Sequence, residues 1–346
     1  MDRDIILREN SMVKDAVKIL EEKKIRGVFI VDEKMVLKGI FTQGDLRRYI
    51  LKNGKIDAPI TCAMNCFPRT FISVNEARKY KDIVCPIINA EGQLLDVLYN
   101  SMTGKDKYFH TDCLQDVPVV IMAGGLGTRL YPLTKILPKA LIPIGDRTII
   151  ERIIENFESW GCKDIYMILN HKADMIKAYF NEKEKSYKLH YVQEEKFLGT
   201  GGGLSLLNGL IKQTFILSNC DILVDADMDC VLKTHRMHHN DITFIGAYKN
   251  INIPYGVIQS DNEGIITGLQ EKPELSFLTN TGVYVIEPHV LEDMPQNKFY
   301  NITDLAMDLR DVGNQIGVFP VTENAWLDMG QMDEMKLMMK ALDSKE

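Results

Sequence analysis

The stretch Ala123-Gly124-Gly125-Leu126-Gly127-Thr128-Arg129-Leu130 follows directly on the apolar run Val117 to Met122. A short, continuous apolar run of this kind reads as a strand buried on both faces. The glycines immediately after it let the backbone pass close to a ligand and turn N–H groups toward it. Arg129 adds a planar fork suited to phosphate oxygens, and Lys139, in Pro138-Lys139-Ala140-Leu141, adds a point charge. Strand, glycine loop and two cations together describe a phosphate site. No Gly-Lys-Ser/Thr follows, as a Walker A loop would require, and the spacing is not that of the dinucleotide fingerprint.

The region after the loop alternates strands with amphipathic helices. Ile149, Ile150, Ile153, Ile154 and Phe157 recur on one helical face, and Gly161 stops that helix before an apolar run from Ile165 to Leu169. Further strand-like runs span Thr214 to Asn219 and Ile242 to Ala247. This alternation predicts an α/β fold, a doubly wound mixed sheet of Rossmann-like type with ligands at the strand C-termini. The N-terminal segment has a different pattern. Ser11 is a candidate cap for a helix carrying Val13, Val17 and Leu20, Gly27 to Asp32 and Val36 to Phe41 read as strands, and a helix starts near Thr42-Gln43-Gly44-Asp45. Cys85 to Gly92 and Leu94 to Leu98 read as a second strand pair, with no clear amphipathic helix before it. The polar, aperiodic stretch Thr103 to Asp116 separates the two regions, giving a small α+β domain over 1–112 and a larger one over 117–346.

A length of 346 residues suits two domains. The net charge of −7 gives no bulk attraction to nucleic acid or to an anionic membrane, so an anionic substrate must be held by local cations. No apolar run spans a bilayer and none forms a leader core, which reads as a cytoplasmic protein. The seven cysteines are scattered without a CxxC pair or a matching histidine cluster, arguing for reduced thiols over zinc. His235, His238 and His239 follow Val231-Leu232 on a helix and read as a solvated face, with His235 and His239 sharing it. Trp160 and the methionines of the tail (Met329, Met332, Met335, Met338, Met339) read as packing residues.

The loop and its two cations resemble the signature of sugar-1-phosphate nucleotidyltransferases, and the resemblance covers roughly 117 to 340. It implies that Ala123, Gly124, Gly125, Gly127 and Thr128 hold a nucleoside triphosphate, that Arg129 contacts the departing pyrophosphate and that Lys139 contacts the phosphate under attack. It also implies a magnesium cofactor (Mg2+) on Asp221, just past the strand ending at Asn219, and on Asp328 in Trp326-Leu327-Asp328-Met329-Gly330. Base recognition falls to Gln193-Glu194-Glu195 and to Leu198-Gly199-Thr200-Gly201-Gly202, whose backbone is exposed to the base edge in relatives. Glu194 can accept from a guanine N1–H and exocyclic amine, a lean toward GTP; a solvated loop charge is the competing reading. Tyr255, Gly256, Glu271, Lys272, Asn280 and Gly282 match the family's sugar-phosphate site.

In the first segment, Thr42-x-x-Asp45 after a helix–strand–strand order resembles a CBS (cystathionine-beta-synthase-type) module. That likeness implies a regulatory adenine nucleotide on Thr42 and Asp45, against the plainer reading of a helix cap. The second half of the pair is degenerate, Tyr99-Asn100-Ser101-Met102 standing where the motif would recur. The combination most resembles bacterial glucosamine-1-phosphate guanylyltransferases of legionaminic acid biosynthesis. It implies GTP and glucosamine 1-phosphate as substrates, NDP-sugar and pyrophosphate as products, and a homo-oligomer without nucleic-acid or membrane partners. Mannose-, heptose- or glucose-1-phosphate with guanylyl, uridylyl or cytidylyl transfer stays open. So does a non-catalytic nucleotide-sensing subunit, although such a protein is expected to lack some of Arg129, Lys139, Asp221 and Asp328.

Overall fold

A computed structural model of the chain describes residues 3–23, 25–52, 55–77, 84–99, 112–292 and 294–343. Asn100-Ser101-Met102 and the linker positions 103–111 lie outside the described residues. The chain forms two compact units. Among the described residues the first takes 3–99, 248–278 and 320–324, and the second takes 112–247, 279–319 and 325–343. Residues 248–278 and 320–324, which the sequence boundary groups with the larger segment, thus belong to the first unit.

A seven-stranded sheet runs in the order Lys188–Gln193, Asp164–Leu169, Val119–Met122, Phe215–Asn219, Glu274–Ile286, Ile242–Asn252, Ile316–Thr322; its first four strands and the parts 279–286, 242–247 and 316–319 of the others lie in the second unit. The first four strands are parallel, and Glu274–Ile286 runs antiparallel to Phe215–Asn219, so the α/β sheet is mixed as expected. Every residue of Val119–Met122 is buried, which is why that strand reads as an unbroken apolar run. From Val119–Met122 the chain moves outward through Asp164–Leu169 to Lys188–Gln193, then returns to the other side with Phe215–Asn219. That return creates a switch point between two neighbouring strand C-termini, where Asn219 pairs with Met122. The glycine loop leaves one of these strand ends, and Asp221 lies just past the other. Beneath them Val120, Phe215, Leu217 and Ile286 pack with Leu204, Leu207, Ile302 and Leu305 in one core.

The helix Ile149–Glu158 buries Ile149, Ile150, Ile153, Ile154 and Phe157, the face expected from their spacing. It starts at Thr148 with a capping box. The Thr148 N–H and hydroxyl donate to Glu151 Oε2 at 2.9 and 2.8 Å, and the Tyr179 hydroxyl joins them at 2.7 Å. His235 departs from its expected exposure. It is wholly buried, with Nδ1 2.8 Å from Thr243 Oγ1 and Nε2 3.0 Å from Glu287 Oε1. The helix Met228–Met237 ends before His239, which takes φ 51°, so the two histidines share no face and His238 and His239 remain exposed. Trp160, Met329, Met335 and Met338 are buried, as packing residues should be.

In the first unit Ile6–Arg8 pairs parallel with Gly27–Val31, which pairs antiparallel with Leu37–Thr42. The helix Val13–Glu22 buries Val13, Ala16, Val17 and Leu20. Its cap is Met12, not Ser11: the Met12 N–H donates to Asp15 Oδ2 at 2.8 Å, while Ser11 Oγ turns back to accept from the Arg8 N–H at 3.2 Å. Val84–Ile88 and Leu94–Tyr99 form an antiparallel pair, preceded among the described residues by a single helical turn, Val74–Ala77. The hairpin Val257–Ser260 with Ile266–Gln270 also belongs to this unit.

Burial alone would raise the Glu151 carboxyl, but hydrogen bonds from Lys183, Thr148 and Tyr179 outweigh it and hold the group down at about 2 against an ordinary 4.5. A depressed carboxyl adds stability above the unfolded value that is lost as pH falls through the folded one. Thr148→Ala is expected to lower the unfolding free energy by about 1 kcal/mol at neutral pH, read by urea denaturation. In Glu151→Gln the loss of stability between pH 4.5 and about 2 should be shallower than in the wild type.

Candidate active site

The glycine loop is shaped by close contacts on one side and openness on the other. Ala123 donates its N–H to Ile168 O at 2.9 Å, continuing the sheet pairing one residue past the strand. A Cβ at Gly124 would sit 3.0 Å from both the Asn170 Cβ and Glu194 Oε2, whereas one at Gly125 would meet nothing within 4 Å. The backbone is therefore pressed against its own support at Gly124 and free at Gly125, the arrangement a ligand-facing loop needs. Gly127 takes φ 65°, and a Cβ there would lie 2.8 Å from Thr134 Cγ2 and 3.2 Å from the Lys139 Cβ. Thr128 and Arg129 then stand exposed on the short turn Thr128–Leu130.

Lys139 and Asp221 form an ion pair with their side chains only 12% and 13% exposed. Met329 donates its N–H to Asp221 O at 2.9 Å, and the pairing of Ile222 with Asp328 brings the second carboxylate alongside. Burial pushes the Asp328 carboxyl up, and the negative charge of Asp221 adds to that, against the pull of the Gly330 N–H and of Lys139. Asp328 Oδ1 accepts from Gly330 N–H at 2.6 Å. Two hard oxygen donors held close enough to repel one another have the chemistry of a magnesium ligand set. The glycine loop, Lys139, Asp221 and Asp328 are thus brought together within the second unit.

On the side toward Lys188–Gln193, Glu194 is 2% exposed, and neither carboxylate oxygen has a hydrogen-bond partner among the described residues. Its oxygens lie against two glycines: a Cβ at Gly203 would fall 2.6 Å from Oε1. Burial pushes the group up to about 7, and the Leu198 backbone N–H offsets this only in part. Glu195, by contrast, is the solvated charge. Asn170, which no motif singles out, donates from Nδ2 to Glu194 O at 3.1 Å. Its one sequence signal is a polar residue at the C-terminal end of a parallel strand.

The Gly199–Gly202 segment is not the exposed ribbon expected from the resemblance. It forms a buried helical turn whose Gly201 and Gly202 N–H groups both donate to Tyr300 O, at 2.8 and 2.9 Å. Thr200 Oγ1 accepts from Ile302 N–H at 3.2 Å. The glycines serve close packing: a Cβ at Gly199 would sit 2.7 Å from Tyr300 O, and one at Gly202 2.3 Å from Lys298 O.

Of the sugar-phosphate candidates, Asn280 and Gly282 lie in the second unit. Asn280 Oδ1 accepts from Gly282 N–H at 3.0 Å, and a Cβ on Gly282, at φ 85°, would meet Asn219 Nδ2 at 2.6 Å. Tyr255, Gly256, Glu271 and Lys272 lie in the first unit, at the open end of the hairpin where Val257 pairs with Gln270. A Cβ at Gly256 would sit 3.1 Å from Glu271 Oε2, and Tyr255 is 74% exposed. Also in the first unit, Thr42 and Asp45 close on each other: the Thr42 N–H and hydroxyl donate to Asp45 Oδ2 at 2.9 and 2.6 Å, and Arg48 pairs with Oδ1. This is the capping arrangement of the helix Gln43–Leu51.

The raised Glu194 carboxyl has a measurable consequence. A group raised in the folded state supports folding below its unfolded pKa and ceases to do so as pH rises through the folded one. Between pH 4.5 and about 7 the protein should lose stability on the order of 1–3 kcal/mol. Glu21, also pushed up to about 7 by burial, contributes over the same window, so Glu194→Gln should make the loss shallower, compared by denaturation at both ends of the window; an unchanged loss would contradict the shift at Glu194.

Residues 118–344 match the nucleotidyl transferase family, and residues 1–52 match the CBS domain. The UTP–glucose-1-phosphate uridylyltransferase of Synechocystis sp. is 30% identical over 248 residues, covering 66% of this chain and 63% of that protein. The mannose-1-phosphate guanyltransferase of Pichia angusta is 29% identical over 252 residues, 65% of each chain. The chain thus spans just under two thirds of the length of these curated relatives. Among solved structures, HddC from Yersinia pseudotuberculosis superposes with a TM-score of 0.53 at 25% identity, covering 65% of this chain and 99% of that one. No helix among the described residues is long and apolar enough to cross a membrane. The chain belongs to the nucleotidyl transferase family and carries a CBS domain at its N-terminus.

Proposed function

We propose that the protein transfers a nucleoside monophosphate from GTP to glucosamine 1-phosphate, giving an NDP-sugar and pyrophosphate, in nonulosonic (legionaminic) acid synthesis. The observation that carries the transfer reaction is the meeting of the glycine loop, Lys139, Asp221 and Asp328 at one switch point. A phosphate oxygen of the sugar 1-phosphate attacks the α-phosphorus of the triphosphate, and the bond to the bridging oxygen of pyrophosphate breaks. The attacking oxygen is already ionised, so no general base is required. The barrier is charge repulsion, which positioned cations lower. Lys139 neutralises the α-phosphate, and the exposed Arg129 receives the departing pyrophosphate. Asp221 and Asp328 would hold magnesium, which supplies charge neutralisation between the two anionic substrates.

The lean toward guanine rests on Glu194. Its carboxylate has no partner at either oxygen among the described residues, but both oxygens are buried against Gly124 and Gly203, so a guanine edge engages them only where that glycine backbone gives way; its N–H donors would then stabilise the ionised form that burial disfavours. The guanyltransferase relative from Pichia angusta agrees with this; the uridylyltransferase relative from Synechocystis sp. keeps UTP with glucose 1-phosphate as the second reading. In the first unit, the CBS match supports a regulatory nucleotide at Thr42 and Asp45. The reciprocal cap already uses both side chains, so the expected effect on turnover is small.

The test is pyrophosphate release across a panel of nucleoside triphosphates and sugar 1-phosphates. Release should require one of each and be fastest with GTP and glucosamine 1-phosphate. Arg129→Ala, Asp221→Asn and Asp328→Asn should each reduce turnover by roughly 10²–10³ while the proteins stay folded, by analogy with loss of a positioned charge-stabilising group. A wild-type protein that releases no pyrophosphate with any pair would overturn the reading.

A further inference from the structure

The turn between the strand Asp164–Leu169 and the helix Ala173–Asn181 touches the glycine loop at both ends. At the near end, His171 donates its N–H to Gly124 O at 3.4 Å, and the Asn170 Cβ lies where a Gly124 Cβ would press. At the far end the link runs through Lys172. Its Nζ donates to Thr134 O and to Lys135 O, both at 2.8 Å. These are carbonyls in the last turn of the short helix Leu133–Ile136, groups that a helix end leaves without internal partners. Thr134, 1% exposed, then donates its hydroxyl to Gly127 O at 2.7 Å, and its methyl fills the space beside Gly127.

Lys172 reaches this position from a left-handed backbone, φ 56° and ψ 32°. A lysine rarely adopts that conformation, and nothing in the start of a helix requires it there. Strain of this kind persists where surrounding contacts over-determine it, and the two carbonyl hydrogen bonds are such contacts. The consequence reaches the next residues along the loop. Gly127 caps the turn Thr128–Leu130, so the carbonyl that Thr134 holds fixes the direction in which Thr128 and Arg129 leave the loop.

We propose that Lys172 is a positioning residue: through Thr134 it locks the Gly127 turn and so aims Arg129 at the β- and γ-phosphates of the nucleotide. The inference rests on the phosphate-loop reading above. It assigns Lys172 an effect on the nucleotide side of the reaction alone, because the clamp ends at Gly127 and Arg129.

Kinetics with the full chain separate the possibilities. Lys172→Met keeps the length of the side chain and removes its donors; kcat/KM for the triphosphate should fall about 10- to 100-fold, the scale of a small misplacement of a reacting group. The KM for the sugar 1-phosphate should stay within about twofold, and inhibition by added pyrophosphate should weaken in parallel. Thr134→Val, which removes the hydroxyl and keeps the shape, should give the same signature. The double variant should be little worse than either single one, because both break one chain of contacts. Lys172→Arg, able to donate to two carbonyls, should restore most of the loss. Equal losses toward both substrates, or additive effects of the two substitutions, would overturn the proposal and leave Lys172 a structural residue. A wild type without pyrophosphate release would instead remove the phosphate-loop reading, independently of Lys172.

Discussion

The pairing of Lys139 with Asp221 organises the end of the sheet. Both side chains are largely withdrawn from solvent, and an ion pair in that setting seldom stabilises a fold more than apolar packing would. Its value lies in what it permits nearby. Asp328 sits beside Asp221, and two close carboxylates without a countercharge would repel each other and favour protonation. Lys139 supplies that countercharge from within the chain. It is held there by the turn Lys139–Leu141, with the Lys139 Cβ beside Gly127 of the loop. One buried contact therefore links the glycine loop, the end of Phe215–Asn219 and the strand Trp326–Asp328. Glu334 adds a further negative charge near Asp328, so the local balance around Lys139 is negative, an excess that suits a hard divalent cation.

Much of this was legible from residue order because it depends on local chemistry. A four-residue buried strand must be apolar throughout, and glycines that follow it must serve a close approach; both statements are properties of the sequence. The helix over Ile149–Glu158 was equally readable, since its apolar spacing and its Thr148–Glu151 cap agree. Thr42 and Asp45 were also readable as a cap, and they make one.

The misreadings share a cause, which is that burial is decided by distant chain. His235 looked like part of a solvated cluster because His238 and His239 lie so close in sequence. Its partners are Thr243, in the strand Ile242–Asn252, and Glu287, just past the end of the neighbouring strand Glu274–Ile286. The Gly199–Gly202 segment looked like exposed backbone, yet Tyr300, about a hundred residues later, takes its N–H groups. Neither Ser11 nor Lys172 could be resolved by propensity. Ser11 is a good cap residue that is not used as one, and lysine is a poor candidate for the left-handed conformation that Lys172 adopts.

Several departures from local preference gather at one edge of the second unit's sheet. Gly127 and Lys172 with positive φ, Gly282 turned against Asn219, and the unpartnered Glu194 carboxylate all belong to loops at the C-terminal ends of the sheet strands or to residues touching them. Departures occur elsewhere in the unit too, at His239 and Asn297 with positive φ and at the buried Asn240 Oδ1, but the core beneath the sheet is continuous and the helix Ile149–Glu158 is capped by residues that cap helices well. A fold can carry strain and an unpaired buried carboxylate at one edge only if the rest holds that edge in place. Here the restraint comes from both flanks: the strand pairing of Asn219 with Met122 on one side, and the turn at Asn170–Lys172 on the other. A buried carboxyl with no partner is eased by taking up a proton, which is why burial pushes Glu194 up to about 7, while the open face of the loop lies at Gly125.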